Sequence, residues 1–370
     1  MSFDRLTEYL DRLPAEGVPG CDLEVWIDHA PVYRHFTGER APGVRMNGAE
    51  TYWLYSATKP LTVTLAMQCV EDGALRLSDP VAEYLPAFAH LNVMDSGRLR
   101  PARTVMTIEH LMAMQGGLDY DIGDAAKALI ASTRAAATTS QVAEAVAQKP
   151  LHFDPGAGFR YSLCIDVLGA VLETITGRSL EALARTRVFD PLGIRDLTFR
   201  PNAEQLGRLA ALWSVETGTL QRQPDGLIDV AQMPYCLSGG GGLMGDVDGY
   251  IRLADALANG GVGANGTRIL TRNAIDDMRR NRQSGKAMED FKKVRHKRGY
   301  GYGLGVRTLI DPAASRSPVG EFGWDGAAGA WVMMDADHRI AAFYAQHVLA
   351  CNRAYYEFHP AIRDLIYEAL

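Results

Sequence analysis

The chain has 370 residues, 47% of them hydrophobic and 22% charged, with a formal net charge of −6. That length can bury a sizeable core, as one large two-part domain or as two domains. The modest acidity gives no basic footprint for nucleic acid, and no transmembrane span is visible.

The first residues begin an amphipathic helix carrying Leu6, Leu10 and Leu13. No signal peptide precedes it, so a cytoplasmic location is expected. Asp22 to His29 and Val32 to Thr37 read as a hairpin turning near His29-Ala30-Pro31. Asn47-Gly48 marks a turn, Thr51 to Tyr55 is aromatic and strand-like, and Leu61 to Val70 is apolar on most sides and helix-compatible. Pro60 suits the first turn of a helix and Asp72-Gly73 its stop, so a helix is expected from about Ser56 to Asp72. Helical patterns dominate from Leu75 to about Ser238, most clearly over Ala125 to Ala147 and Ile165 to Thr176. Strand patterns return over Tyr302 to Leu309, Ala330 to Asp335 and Ile340 to His347, and Pro360 to Leu370 closes the chain as a helix. The sheet is thus split between the two ends of the chain, with a mostly helical insertion between them.

Ser56 and Lys59 carry the first chemical signal. Three residues apart at a strand-to-helix junction, they share a face, and the helix N-terminus favours negative charge developing nearby. A lysine buried at such a place loses the solvation of its ammonium form, and a neutral amine can act as a base. The plainer alternative is that Ser56 simply caps the helix.

Four other features bear on function. Cys21, Cys69, Cys164, Cys236 and Cys351 are odd in number, widely spaced and mostly in apolar surroundings, which suits buried free thiols in a reducing compartment. The nine histidines show no ligand spacing, so no metal site and no cofactor are expected, and His110 reads as structural. Gly239 to Gly242 lacks the Lys-Ser/Thr of a phosphate cradle and reads as backbone packed beneath a site, ahead of a helix capped near Asp246. The basic run from Lys292 to Arg298 reads as a solvated loop before a strand, with an anionic partner or substrate entry as the alternative.

Taken in order along the chain, a longer series of motifs resembles a known family. It runs Ser56-Ala57-Thr58-Lys59-Pro60, Thr107 to Met112, Gly116-Gly117-Leu118, Pro155-Gly156 with Tyr161-Ser162, Asp166-Val167-Leu168-Gly169 and Pro191 to Ile194. Ser238 to Leu243, Gly301 to Gly305 and Gly323-Trp324-Asp325-Gly326 complete it. The chain resembles the serine β-lactamase and penicillin-binding-protein superfamily over nearly its whole length, and within it the class C β-lactamase-related esterases, or family VIII carboxylesterases. Two departures refine the placement. Tyr161-Ser162-Leu163 lacks the amide usual in the second element, and Trp324-Asp325-Gly326 stands where lactamases and peptidases carry Lys-Thr-Gly. Without a cation there to hold a substrate carboxylate, an uncharged ester is the easier substrate.

The resemblance implies an α/β (α+β) fold, a β-lactamase-like antiparallel sheet flanked by helices with a mostly helical inserted domain. Residues 1–75 with 245–370 would form the sheet domain, 76–244 the helical one, and the active site would lie in the cleft between them. It also implies Ser56 as nucleophile, Lys59 and Tyr161 as an acid/base pair, and the backbone amides of Ser56 and Ala327 as the oxyanion hole. Trp324, Asp325 and Gly326 are the substrate-binding candidates. Trp324 is expected on or just before an edge strand, as a pocket wall or as packing at the seam. Asp325 would either bind a cationic substrate or face solvent. Residues around Asp119 to Thr139 and Leu212 to Tyr235 match the family least and are where substrate choice is expected. The function implied is a serine hydrolase of small or medium carboxylic esters, acting on a small-molecule ester or amide with no nucleic-acid or membrane partner. An amidase or D-amino-acid peptidase, an acyltransferase or a weak β-lactamase would share the same nucleophile; a non-catalytic binding protein is the alternative of a different class.

Overall fold

Alternating burial builds the centre of the molecule. Along Trp331–Asp335 and Ile340–Gln346 every residue is buried, because successive side chains enter different cores. Trp331, Met333, Ile340, Ala342 and Tyr344 join one core with the helices Asp4–Arg12 and His359–Ala369, through Leu6, Leu10, Ile362 and Ile366. Val332, Met334, Ala341 and Phe343 join the larger core on the opposite face, where Tyr250 of the helix Val247–Ala258 stacks on Phe343 at 4.1 Å. Helices therefore cover both faces of the sheet. The computed structural model describes residues 1–133, 136–216, 218–224, 237–295 and 297–370.

The sheet has eight strands, in the spatial order 300–302, 307–309, 322–325, 331–335, 340–346, 20–27, 30–41 and 44–45. All neighbours are antiparallel, and both ends of the chain contribute. The first hairpin closes through Asp28 and His29 at φ +50° and +69°, a two-residue turn whose backbone matches the right-handed twist of its strands.

Several expected elements keep their place and change their bounds. The pattern over Tyr302 to Leu309 is a hairpin rather than one strand: Tyr300–Tyr302 pairs with Arg307–Leu309, and Gly305 at φ +69° turns the chain between them. Ala125 to Ala147 is likewise broken into Gly123–Ser132 and Thr139–Val146. Thr138 stops the run by capping the second helix, its hydroxyl accepting from Gln141 N–H while the Gln141 side chain accepts from Thr138 N–H. Trp324 lies on Phe322–Asp325, an inner strand and not the expected edge. The strand-like Thr51 to Tyr55 shortens to Tyr52–Trp53, paired with Met244–Gly245.

Between the sheet segments the chain is mainly helical, with Ile108–Met112, Cys164–Thr176 and Leu180–Ala184 among its helices. Gly177, at φ +64°, ends Cys164–Thr176, in keeping with the helical pattern expected over Ile165 to Thr176. His110 closes a capping box with Thr107, a structural role. Cys21, Cys69, Cys164 and Cys351 are buried free thiols, and Cys236 lies outside the described residues. Among the described residues no helix is long and apolar enough to cross a membrane, and no cluster of His, Cys, Asp and Glu is placed to hold a metal.

Candidate active site

The site begins with a strained turn. Tyr55, a non-glycine residue, sits at φ +47°, a conformation that costs on the order of 1–3 kcal/mol and persists only when its surroundings enforce it. Here they do: Leu54 N–H bonds Leu243 O at 2.9 Å, Thr58 Oγ1 donates to Tyr55 O at 2.6 Å and accepts from Leu243 N–H at 3.0 Å, and the Tyr250 hydroxyl donates to Ala57 O at 2.5 Å. The helix expected from Ser56 starts later. Tyr55–Thr58 is a 3₁₀ turn and the α-helix runs Lys59–Glu71, ending at Asp72-Gly73. Side chains three apart eclipse in a 3₁₀ turn, which brings Ser56 and Lys59 together more directly than an α-helix would.

Lys59 is fully buried. Its Nζ lies 3.0 Å from Ser56 Oγ, 2.6 Å from Gly240 O and 3.3 Å from the Tyr120 hydroxyl, and it stands 4.7 Å from the centre of the Tyr161 ring. Three oxygens, two of them hydroxyls and one a carbonyl, thus surround the nitrogen and fix its position against Ser56. The glycine run from Gly239 packs beneath this group, and a side chain at Gly240 would meet Asp166 Oδ2 at 2.4 Å. Asp166 accepts from Ser238 Oγ at 2.5 Å and Gly240 N–H at 3.2 Å, fixing the carbonyl that Lys59 uses.

Tyr161 lies on the loop ahead of Cys164–Thr176 and lines the same cavity as Ser56, about 390 Å³ in volume. Trp324, fully buried, donates from Nε1 to the Tyr161 hydroxyl at 2.9 Å. It stands behind Tyr161, in edge contact with Tyr302 at 4.9 Å, rather than on the cavity wall. Tyr120 stacks at a tilt against Tyr161, their centroids 5.5 Å apart, and burial of its hydroxyl, with the neighbouring Tyr161 and Asp166, pushes its phenol well above the ordinary tyrosine range.

Across the cavity, Asp325, Gly326 and Ala327 form the end of an inner strand and the turn beyond it. Gly326 passes so near the nucleophile turn that an added Cβ would sit 2.1 Å from Leu54 O, which only glycine allows. The turn is tied by Gly326 N–H to Ala330 O at 2.8 Å and by the Tyr355 hydroxyl, 3.0 Å from Gly326 O and 2.9 Å from Ala327 O. Asp325 neither faces solvent nor stands open for a cationic ligand: it is buried and paired with Lys297 Nζ at 2.5 Å. The basic run is solvated at Lys292, Lys293 and Arg298, but it is only in part a loop. Gly285–Arg295 is helical, and Lys297 turns into the cavity, with its ammonium 5.9 Å from the centre of the Trp324 ring.

Ser56, Lys59, Tyr161, Asp325, Gly326 and Ala327 are thus brought together. Tyr120, Lys297 and Tyr355 join them although no motif names them. Tyr120 follows Gly116-Gly117-Leu118 closely, and Lys297 belongs to the one basic cluster, so each carries a weak signal in the sequence. Part of the segment expected to choose substrate, 225–235, lies outside the described residues.

An antiparallel sheet covered by helices, with a buried lysine against a serine at the head of a central helix, defines a serine hydrolase of the β-lactamase-like fold. The chain belongs to the Beta-lactamase family, whose model matches residues 6–369. It is 30% identical to Protein Rv1367c of Mycobacterium tuberculosis over 318 residues, 82% of this chain and 78% of that one. It is 28% identical to Esterase EstB of Burkholderia gladioli, over 91% of this chain and 87% of that one. Among solved structures, EstCE1, described as a hydrolase with promiscuous acyltransferase activity, superposes with a TM-score of 0.79 at 24% identity, covering 99% and 98% of the two chains.

Proposed function

We propose that the protein hydrolyses small or medium carboxylic esters through an acyl-enzyme on Ser56. The observation that carries this reading is the Lys59 amine, fully buried and 3.0 Å from Ser56 Oγ at the foot of an open cavity. In the proposed reaction the Ser56 oxygen attacks the ester carbonyl carbon while its proton passes to the Lys59–Tyr161 pair. Negative charge develops on the carbonyl oxygen, where the N–H groups of Ser56 and Ala327 stabilise it, with no side chain needed. The intermediate collapses as the pair returns the proton to the leaving alcohol, and water repeats the cycle to release the acid. Tyr120 and Asp166 hold the amine, and Trp324 and Tyr355 hold Tyr161 and the oxyanion turn. The working division is a sheet part, 1–75 with 245–370, and a helical part, 76–244, with the reaction in the cleft between them. The likeness to EstB, named an esterase, supports ester hydrolysis over amide cleavage.

Intact-protein mass after a fluorophosphonate, with turnover of short p-nitrophenyl esters and of nitrocefin, tests this. One adduct, abolished by Ser56→Ala, and ester turnover exceeding nitrocefin turnover are expected. An adduct without ester turnover would point to an amidase or acyltransferase, and no adduct would remove Ser56 as an activated nucleophile.

A further inference from the structure

Lys297 stands between two cavities. One is the cavity at Ser56; the other, of about 160 Å³, shares Lys297, Tyr355 and Tyr356 with it. The two spaces therefore adjoin at these three side chains. The wall of that space is unusual in its charge. Lys297, Arg298, Arg307 and Arg363 all line it, and among the described residues no carboxylate does. Three of these cations have carboxylate partners set outside that wall: Asp325 for Lys297, Glu321 for Arg307 at 2.8 Å, and Asp364 for Arg363 at 2.9 Å. Arg298, exposed at the rim, adds a fourth positive charge.

Arg307 and Arg363 are almost entirely buried, at 2% and 6% exposure, so their charges are poorly solvated. Guanidinium groups offer planar forked donors that match a carboxylate. His359 adds a polar atom to this wall. Its ring lines the cavity at 3% exposure, Nε2 is held by Gly329 O at 3.1 Å, and Nδ1 is buried without a hydrogen-bond partner. Because Nε2 donates to a carbonyl, Nδ1 is the acceptor, ready for an N–H or O–H beside the anion. A buried polar atom left unpaired is costly, and a bound molecule would relieve it.

We propose that this second cavity is a subsite for a carboxylate carried by the molecule that reacts at Ser56, so that the preferred substrate is an anionic ester. The inference rests on the ester-hydrolase reading and narrows it. Two matched pairs of esters test it: p-nitrophenyl hemisuccinate against p-nitrophenyl butyrate for the acyl side, and 4-acetoxybenzoate against its methyl ester for the leaving side. The acid of at least one pair is expected to have the higher kcat/KM. Arg298→Glu should lower that acid-to-neutral ratio about tenfold, because a rim cation becomes a repulsive charge. Arg298 is exposed, so the variant should fold; Arg363→Met, at the floor, should lower the same ratio. Absence of any preference for the acid, or a preference unchanged in Arg298→Glu, overturns the proposal while ester turnover and the Ser56 adduct stand. Loss of the adduct and of all ester turnover in the unaltered protein would overturn both readings together.

Discussion

Trp324→Phe separates two roles for the most deeply buried aromatic of the site. The change removes one donor, the indole Nε1–H lying 2.9 Å from the Tyr161 oxygen, and leaves an aromatic ring between Tyr161 and Tyr302. A hydrogen bond between neutral groups is worth about 0.5–1.5 kcal/mol net. If it serves to aim the Tyr161 hydroxyl during proton transfer, that energy is lost from the transition state, and each ~1.36 kcal/mol is tenfold in rate. The expected fall in kcat is about 2- to 13-fold, with KM for p-nitrophenyl butyrate unchanged, because Trp324 has no surface in the cavity. The smaller ring also costs stability, so rates belong well below the melting temperature. Both constants should be measured for Trp324→Phe, Tyr161→Phe and the double variant. If Trp324 acts through Tyr161, its replacement has little further effect once the hydroxyl is gone. A raised KM with kcat retained, or fully additive losses, would refute the reasoning and make Trp324 a pocket wall.

Gly326→Ala places a Cβ 2.1 Å from Leu54 O and must push the oxyanion turn from the nucleophile; on the order of a hundredfold loss of kcat is expected with circular dichroism unchanged. Near-normal activity would mean the two turns need not approach. Tyr120→Phe removes the hydroxyl 3.3 Å from Lys59 and should lower kcat a few-fold, with fluorophosphonate labelling slowed in proportion; equal labelling rates would exclude a role in holding the amine. His347 is buried, which lowers its pKa from 6.5 to about 4. Between those values the unfolded chain binds the proton and the folded protein does not, so the contribution is full above pH 6.5 and is lost as pH falls towards 4. Its ceiling is on the order of 3 kcal/mol, so the urea midpoint of the unaltered protein should fall more between pH 7 and 4.5 than that of His347→Phe; parallel curves would refute it.

What the sequence made legible was local. The serine–lysine turn, the glycine run and the stop at Gly177 each constrain backbone over a few residues, and such constraints write short patterns. The same locality explains the errors. Tyr302 to Leu309 looked continuous because its residues suit a strand, and only the glycines between reveal the turn. Ala125 to Ala147 looked like one helix because alanine dominates, although Thr138 and Gln141 stood at capping-box spacing. Trp324 was expected at an edge because strand order in a sheet drawn from two ends is a tertiary property; its place inside follows from which strands pair, not from its own neighbours.

Charge in the site shows the same division more sharply. The missing cation at the Lys-Thr-Gly position argued for an uncharged ester, and at position 324 that statement holds. Within the folded protein it does not carry over, because Lys297 reaches the cavity from elsewhere in the chain, its ammonium 5.9 Å from the centre of the Trp324 ring. Asp325, unexplained as a sequence feature, is the group that makes this possible: a buried ammonium needs an anion, and Asp325 provides one at 2.5 Å. Their pairing offsets the Lys297 charge at the Ser56 cavity, as Glu321 and Asp364 pair Arg307 and Arg363 at the second cavity, where Arg298 is exposed. Under the anionic-ester proposal the substrate's charge would lie on the Arg298 side of Lys297, away from the developing oxyanion.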